Sequence, residues 1–201
     1  MTPVRPPADS TDSGVHRPKS TKVQRLLRLI ASLVDPRAWA HQVKLLNFYN
    51  YSHVTPRRLM KIGPSCAISP TATFAYGNRI QLGARVLVGE NARLWAGPGV
   101  ATITIGDDTM LGPNVLITAS DYRFRDGAPI NRQAMNEHAI SIGADVWVGG
   151  GAIILAGAEI GDGAVIAAGA VVRGVIPAMK VAAGVPARVV GHREIGSNKI
   201  L

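Results

Sequence analysis

The sequence predicts an all-β solenoid of stacked triangular coils, preceded by a basic helical arm. Three observations carry this. From Ile62 onward, aliphatic or aromatic residues recur every six positions: Ile62, Ile68 and Phe74, then Leu82, Val88 and Leu94, then Ile105, Leu111 and Ile117. After an interruption the period holds unbroken through Ile142, Val148, Ile154, Ile160, Ile166 and Val172. Glycine often follows the aliphatic (Gly63, Gly83, Gly89, Gly106, Gly112, Gly143, Gly149, Gly161), and the fifth position of the hexad is usually small. Composition is also split. Of 22 glycines only Gly14 precedes residue 61; residues 1–61 hold 11 Lys/Arg against 3 Asp, and the remainder 11 against 10. A fixed internal period outranks local propensity as evidence of fold.

Each element follows in order. Residues 1–20, rich in Pro, Ser, Thr and Asp, read as a disordered tail. Residues 21–61 form the basic arm. Val23, Leu26, Leu27, Ile30, Leu33 and Val34 recur at helical spacing, and Asp35-Pro36 ends that helix because the residue before proline avoids helical dihedrals. Trp39, Val43, Leu46 and Phe48 mark a second helical stretch. Residues 62–191 are the solenoid. Each hexad supplies a short strand and a sharp turn whose dihedrals glycine tolerates, with the aliphatic pointing inward. Three hexads close an 18-residue coil, and coils stack at about 4.8 Å. The parse gives about five coils, at 62–79, 82–99, 105–122, 142–159 and 160–177, with a protruding loop at 123–141 and a tail at 192–201.

Hydrophobic residues make up 47%, aromatics 5% and charged residues 17%, so the core is built of small aliphatics and the chain is not disordered overall. One cysteine excludes a disulfide framework or a cysteine metal cluster and points to the cytoplasm; Cys66 reads as core packing. The first twenty residues lack an apolar stretch, and no run of about 20 apolar residues exists, which argues against a signal peptide and a spanning helix. No phosphate-binding loop or dinucleotide fingerprint is present. Nucleic-acid binding is disfavoured because aromatics are not interleaved with the charges of the arm.

The segments IGPSCAISPTAT, IGDDTMLGPNVLIT and IGADVWVGGGAIILAGAEIGDGAVIAAGAVV, followed by AAGVPARVVG, resemble the hexapeptide-repeat acyltransferases over roughly residues 62–191, and among them the sugar O-acetyltransferases. The resemblance implies a left-handed parallel β-helix, a homotrimer, acetyl-CoA as acyl donor bound between subunits, and a saccharide acceptor in surface polysaccharide or lipid-linked sugar synthesis. N-acylation of a nucleotide-linked amino sugar, or a non-catalytic trimeric scaffold, are the alternatives. A zinc carbonic anhydrase of this fold needs three histidines and the repeat body holds only His138; His16, His41, His53 and His192 lie outside it, so no metal is expected.

Acetyl transfer to a hydroxyl needs a general base and donors for the oxyanion. The family's histidine precedes the long loop in a segment resembling Ser-Asp-His. This chain has Ser120-Asp121-Tyr122, and a phenol is a poor base at neutral pH. Two substitutes are available. Asp121 occupies a fifth hexad position, where other hexads carry small residues that face inward, and partial burial there would raise its basicity. His138 lies in the loop, with Asp121 or Glu137 to fix its tautomer. Tyr122 would hydrogen-bond substrate. The resemblance further implies a pantetheine track past Trp147, Gly149, Gly150 and Ala168, with Arg173, Lys180 and Arg188 near the nucleotide phosphates; surface packing is the competing reading of these. The arm's residues 22–34 form a basic amphipathic helix about 20 Å long that caps the solenoid or its trimer mate, lies at a membrane surface, or does both.

Overall fold

A computed structural model of the chain describes residues 20–194 and residue 196. The disordered-tail reading for 1–19 and the tail positions 195 and 197–201 lie outside them. The described residues divide into two compact units, with the boundary between Leu45 and Leu46.

In the first unit, α1 spans Lys22–Val34 and is opened by a capping box. The Gln24 amide donates to Thr21 Oγ1 (3.2 Å) and the Thr21 amide to Gln24 Oε1 (3.0 Å), which satisfies two of the orphan donors of a helix start. Asp35 ends α1 in an extended conformation and then caps the next helix, accepting from the Arg37 amide at 2.8 Å. Pro36 is pre-shaped for the first position of α2, Pro36–Tyr49, whose last four residues belong to the second unit. No residue of α1 is buried. Among the described residues no helix is long and apolar enough to cross a membrane.

The second unit is a parallel β-helix. Its strands form three faces of six, seven and five strands. The hexad phase read from the sequence is the strand register. On the first face Ile62, Leu82, Ile105, Ile142 and Ile160 lie side by side and are continued by Ile176. The second face aligns Ile68, Val88, Leu111, Val148 and Ile166, then Ala182. The third aligns Phe74, Leu94, Ile117, Ile154 and Val172. There are thus about six turns rather than five: the strands Val175–Ile176 and Lys180–Ala183 add a partial coil that the hexad count misses, because Val172 to Ile176 is a step of four.

The glycine after the aliphatic has a different reason from the one expected. The left-handed residues of the turns come two places later and are mostly not glycine: Ser65, Arg85, Asn91, Asp108, Asn114 and Asp145. The glycine instead permits close stacking. A Cβ on Gly106 would sit 2.6 Å from the Ala144 amide nitrogen of the next coil. Inside, aliphatics from three faces fill each layer; Ile105, Ile117, Ile154 and Ile166 are all buried. Each contributes roughly 1.5–3 kcal/mol relative to exposure.

Departures from the hexad fall mainly at one corner, where the third face returns to the first. There the six-residue step becomes eight (Phe74 to Leu82), eleven (Leu94 to Ile105) and twenty-five (Ile117 to Ile142). The two ends of the stack are closed by residues of the same unit. A π-helical turn at Asn50–Val54 leads into α3, Thr55–Leu59, which packs on the first coil, with Arg57 donating to the Ser69 carbonyl and lying over the Phe74 ring. At the far end Arg188–His192 runs antiparallel to Lys180–Ala183 and covers the sheet edge.

Candidate functional site

The irregular corner carries the site. The long insert is not a structureless loop throughout. Ser120–Tyr122 and Met135–Glu137 pair antiparallel, with Ser120 opposite Glu137, Asp121 opposite Asn136 and Tyr122 opposite Met135. The chain rejoins the solenoid at Ile140, which is buried and pairs with Ile103. Because side chains alternate along a strand, the hairpin has two faces. Asp121, Asn136 and His138 share one; Ser120, Tyr122, Met135 and Glu137 share the other.

The exit of the chain at Ser120 corrects the expectation for Asp121. Ser120 is buried, but the Asp121 side chain is 41% exposed. Its Oδ2 lies 3.4 Å from a guanidinium nitrogen of Arg173, which reaches across from the end of the third face. The partly buried carboxylate expected from hexad phase is intermediate in exposure and is engaged in an ion pair, because the chain leaves the coil one residue before it.

His138 is exposed. Its amide donates to the Ala119 carbonyl at 3.0 Å, and its Cβ stands 3.4 Å from the position a Cβ would take on Gly157. The expected tautomer-fixing partners are engaged elsewhere: Asp121 with Arg173, and Glu137 as a clamp. Glu137 accepts the amides of Gly99 (2.6 Å), Val100 (2.7 Å) and Ala101 (3.1 Å). Those three donors, Gly99 first, hold its carboxyl below the usual glutamate range. Glu137 ties the insert to the neighbouring eleven-residue excursion of the same corner. Sequence reasoning missed this role; an acid beside two glycine-rich slips at one corner was the available signal.

Beside the hairpin, an open groove of about 830 Å³ runs over the outer side of the third face. Thr73, Arg93 and Leu116 form one row of its floor, and Ala75, Trp95 and Thr118 the next. Tyr122, Asp121 and Met135 wall one end; Phe48, Tyr51 and Tyr76 wall the other. Sequence reasoning did not assemble this groove, since its residues come from five separate segments.

The proposed cofactor residues lie elsewhere. Trp147 is exposed on the second face between Met110 and Val165. Gly149 and Gly150 form the following corner, where a Gly149 Cβ would meet the Ala168 nitrogen at 2.6 Å, so Gly149 and Ala168 are stacked in adjacent coils. The three cations are not brought together. Arg173 is at the hairpin corner, whereas Lys180 and Arg188 begin the two strands of the terminal antiparallel pair. Among the described residues no group of three or more His, Cys, Asp or Glu is placed to hold a metal.

The profile of the bacterial transferase hexapeptide (six repeats) matches residues 139–174, the stretch of unbroken hexads. Galactoside O-acetyltransferase of Escherichia coli is 32% identical over 158 residues, covering 73% of this chain and 75% of that protein. The chain belongs to the hexapeptide-repeat acetyltransferases. Nodulation protein L of Rhizobium meliloti, another relative, is 45% identical over 136 residues, 66% of this chain and 70% of its own. Among solved structures, a galactoside acetyltransferase in complex with coenzyme A superposes with a TM-score of 0.56 at 26% identity, covering 79% of this chain and 82% of that one. Within this hexapeptide-repeat chain the insert, with Asp121, Tyr122 and His138, immediately precedes the matched repeats, and Trp147, Gly149, Gly150, Ala168 and Arg173 lie inside them.

Proposed function

We propose that this protein transfers an acetyl group from acetyl-CoA to a hydroxyl of a saccharide acceptor, as a homotrimer. The observation that carries the reading is the hairpin at the irregular corner, which holds Asp121 and Tyr122 at one end of an open groove and carries His138 where the chain returns to the coils, on a coil stack whose relatives include a galactoside O-acetyltransferase. In the proposed step His138 takes the acceptor hydroxyl proton while the oxygen attacks the thioester carbonyl. The carbon–sulfur bond then breaks, and coenzyme A leaves as the thiol with the proton. Asp121, held by Arg173, positions the acceptor, and Tyr122 hydrogen-bonds it.

The trimer reading is supported by placement. Trp147, Gly149, Gly150 and Ala168 belong to the second face and its following corner, while the hairpin stands at the next corner around the same coil. A donor track on one copy facing the acceptor corner of another would bring them together. Lys180 and Arg188 are the cations proposed for the nucleotide end. The amphipathic α1, none of whose residues is buried, supports a peripheral contact with the cytoplasmic face of a membrane, where surface polysaccharide or lipid-linked sugars are built.

The test is acetyl transfer from acetyl-CoA to a saccharide panel, with thiol release as the readout. His138→Ala is expected to lower kcat by about 10²–10⁴-fold, the usual range for a general base. Asp121→Asn raises the acceptor KM. Full turnover in both variants refutes these assignments, and absence of coenzyme A binding refutes the enzyme reading. Deleting residues 1–35 should release the protein from membranes; loss of solubility instead would make the arm a cap.

A further inference from the structure

Most of the side chains lining the groove on the third face are aromatic, aliphatic or hydroxyl-bearing, and only Arg93 and Asp121 carry charge. The two are not equivalent. Asp121 is answered inside the protein by Arg173, at 3.4 Å. Arg93 stands on the floor between Thr73 and Leu116 of the neighbouring coils and is exposed. Among the described residues its guanidinium enters no ion pair. The groove therefore holds one uncompensated cation on its open floor.

The surrounding charges do not cancel that excess. Arg57 lies over the lining ring of Phe74, 5.6 Å from its centre, and donates to the Ser69 carbonyl rather than to an acid. Arg79 lies 5.1 Å from the centre of the Tyr76 ring and is offset by Glu137, whose own oxygens are taken up by three backbone amides. Beside apolar walls a guanidinium is less screened than in open water, and its planar fork matches two oxygens of a carboxylate or phosphate. Position fits as well. Arg93 and Thr118 lie one strand apart and two residues along, about 8 Å between α-carbons at ordinary strand spacing and rise. Thr118 leads directly into the hairpin strand of Asp121 and Tyr122. An anion on Arg93 and a hydroxyl presented at the hairpin are thus separated on the scale of one sugar unit.

We infer that the acceptor is an acidic saccharide, bound with its carboxylate or phosphate on Arg93 and its reacting hydroxyl toward the hairpin. The inference rests on the acetyl-transfer reading and names its acceptor class. Arg93 acts as a specificity residue. A neutral sugar seated on the same floor would strip water from the guanidinium and return no counter-charge, whereas an anion replaces that water with charge-assisted hydrogen bonds.

The test titrates the full-length protein, saturated with coenzyme A, with matched sugars that differ in one anionic group, using calorimetry. One arm sets methyl β-glucoside against methyl β-glucuronide; the other sets glucose against glucose 1-phosphate; the galactose counterparts of both are included. The anionic member of at least one pair is expected to bind at least about tenfold tighter, the scale of a hydrogen bond to a charged group. Preference in the first arm alone identifies a carboxylate, and in the second alone a phosphate. Arg93→Gln should bring the ratio to within about twofold, while Arg93→Lys, which keeps the charge but loses the fork, retains part of it. Because Arg93 is exposed and outside every ion pair, a lost ratio is not lost folding, and thermal unfolding of each variant checks this. Equal affinities within every pair overturn the inference, and so does a preference that survives Arg93→Gln. Weaker coenzyme A binding by Arg93→Gln with the sugar ratio unchanged also overturns it, by assigning Arg93 to the donor. An Arg93-dependent preference in a protein that transfers no acetyl group keeps the acidic ligand and rejects the enzymatic reading. Acetyl transfer to neutral and acidic acceptors with equal KM values rejects the acidic acceptor alone.

Discussion

Substituting alanine for each glycine of the Gly149-Gly150 corner separates coil stacking from cofactor binding. On Gly149 the new methyl would lie 2.6 Å from the Ala168 nitrogen and 2.9 Å from the Ile166 carbonyl oxygen. The first distance is about 0.8 Å short of ordinary van der Waals contact at 3.4 Å. Both neighbours are backbone, and the Gly149 amide donates to that same carbonyl at 2.7 Å, so relief means parting two coils and stretching that bond. Overpacking of this kind costs about 1–3 kcal/mol, and a lost hydrogen bond about 1 kcal/mol more. The sum, about 2–4 kcal/mol, lowers Tm by roughly 4–16 °C in a domain of this size. On Gly150 the nearest atom to the methyl is the Pro113 carbonyl oxygen at 3.3 Å, and the backbone there is not left-handed. A slightly tight contact is then offset by reduced unfolded-state entropy, leaving stability within about 1 kcal/mol of the parent. The assay is thermal unfolding at fixed protein concentration, paired with coenzyme A titration calorimetry. Gly149→Ala should be unstable, whereas Gly150→Ala should fold normally and weaken coenzyme A binding if pantetheine passes that corner. A Gly149→Ala protein as stable as the parent would refute the stacking argument.

Other expectations can be checked in parallel. Thr109 is fully buried, donates to the Gly143 carbonyl (2.8 Å) and accepts from the Val146 amide (3.2 Å); Thr109→Val should cost about 1–3 kcal/mol in urea unfolding, because two buried backbone groups lose their partner. Glu137 has its carboxyl lowered in the folded state, so its stabilisation is present above the usual glutamate range and is lost as pH falls through the folded-state value. The Tm gap between the parent and Glu137→Gln should accordingly shrink on acidification, and a gap that widens contradicts the clamp. Arg173→Ala removes an exposed ion pair and should change stability by no more than about 1 kcal/mol. Its kinetic effect belongs in the acceptor KM if Arg173 serves Asp121; an effect confined to the acetyl-CoA KM would return Arg173 to the nucleotide.

Much of the architecture is legible along the chain because a solenoid turns sequence period directly into register. Ile142, Val148 and Ile154 stand on three faces, and Ile160 returns to the first, because six residues make one side and one corner. The three slips in that period mark the corner that carries the hairpin, since a coil closed by nearest-neighbour pairing accepts extra residues only where it turns. Period does not say what a given turn requires. Gly106 and Gly149 look like dihedral hinges in sequence, yet it is the neighbouring coil, invisible in one hexad, that excludes their side chains.

The site divides the same way. Sequence alone determined the coil stack, the interruption before Ile142 and the chemistry present there: a carboxylate at Asp121, a phenol at Tyr122 and an imidazole at His138. Only the tertiary structure decided their partners. It turned Asp121 outward to Arg173, fifty-two residues away, spent Glu137 on three backbone amides, and gathered Phe48, Tyr51, Tyr76, Trp95 and Tyr122 along one groove. Periodicity is a property of neighbours along the chain and survives in the sequence; ion pairs and grooves join residues whose separation depends on how many coils lie between them, and that is fixed only once the coils stack.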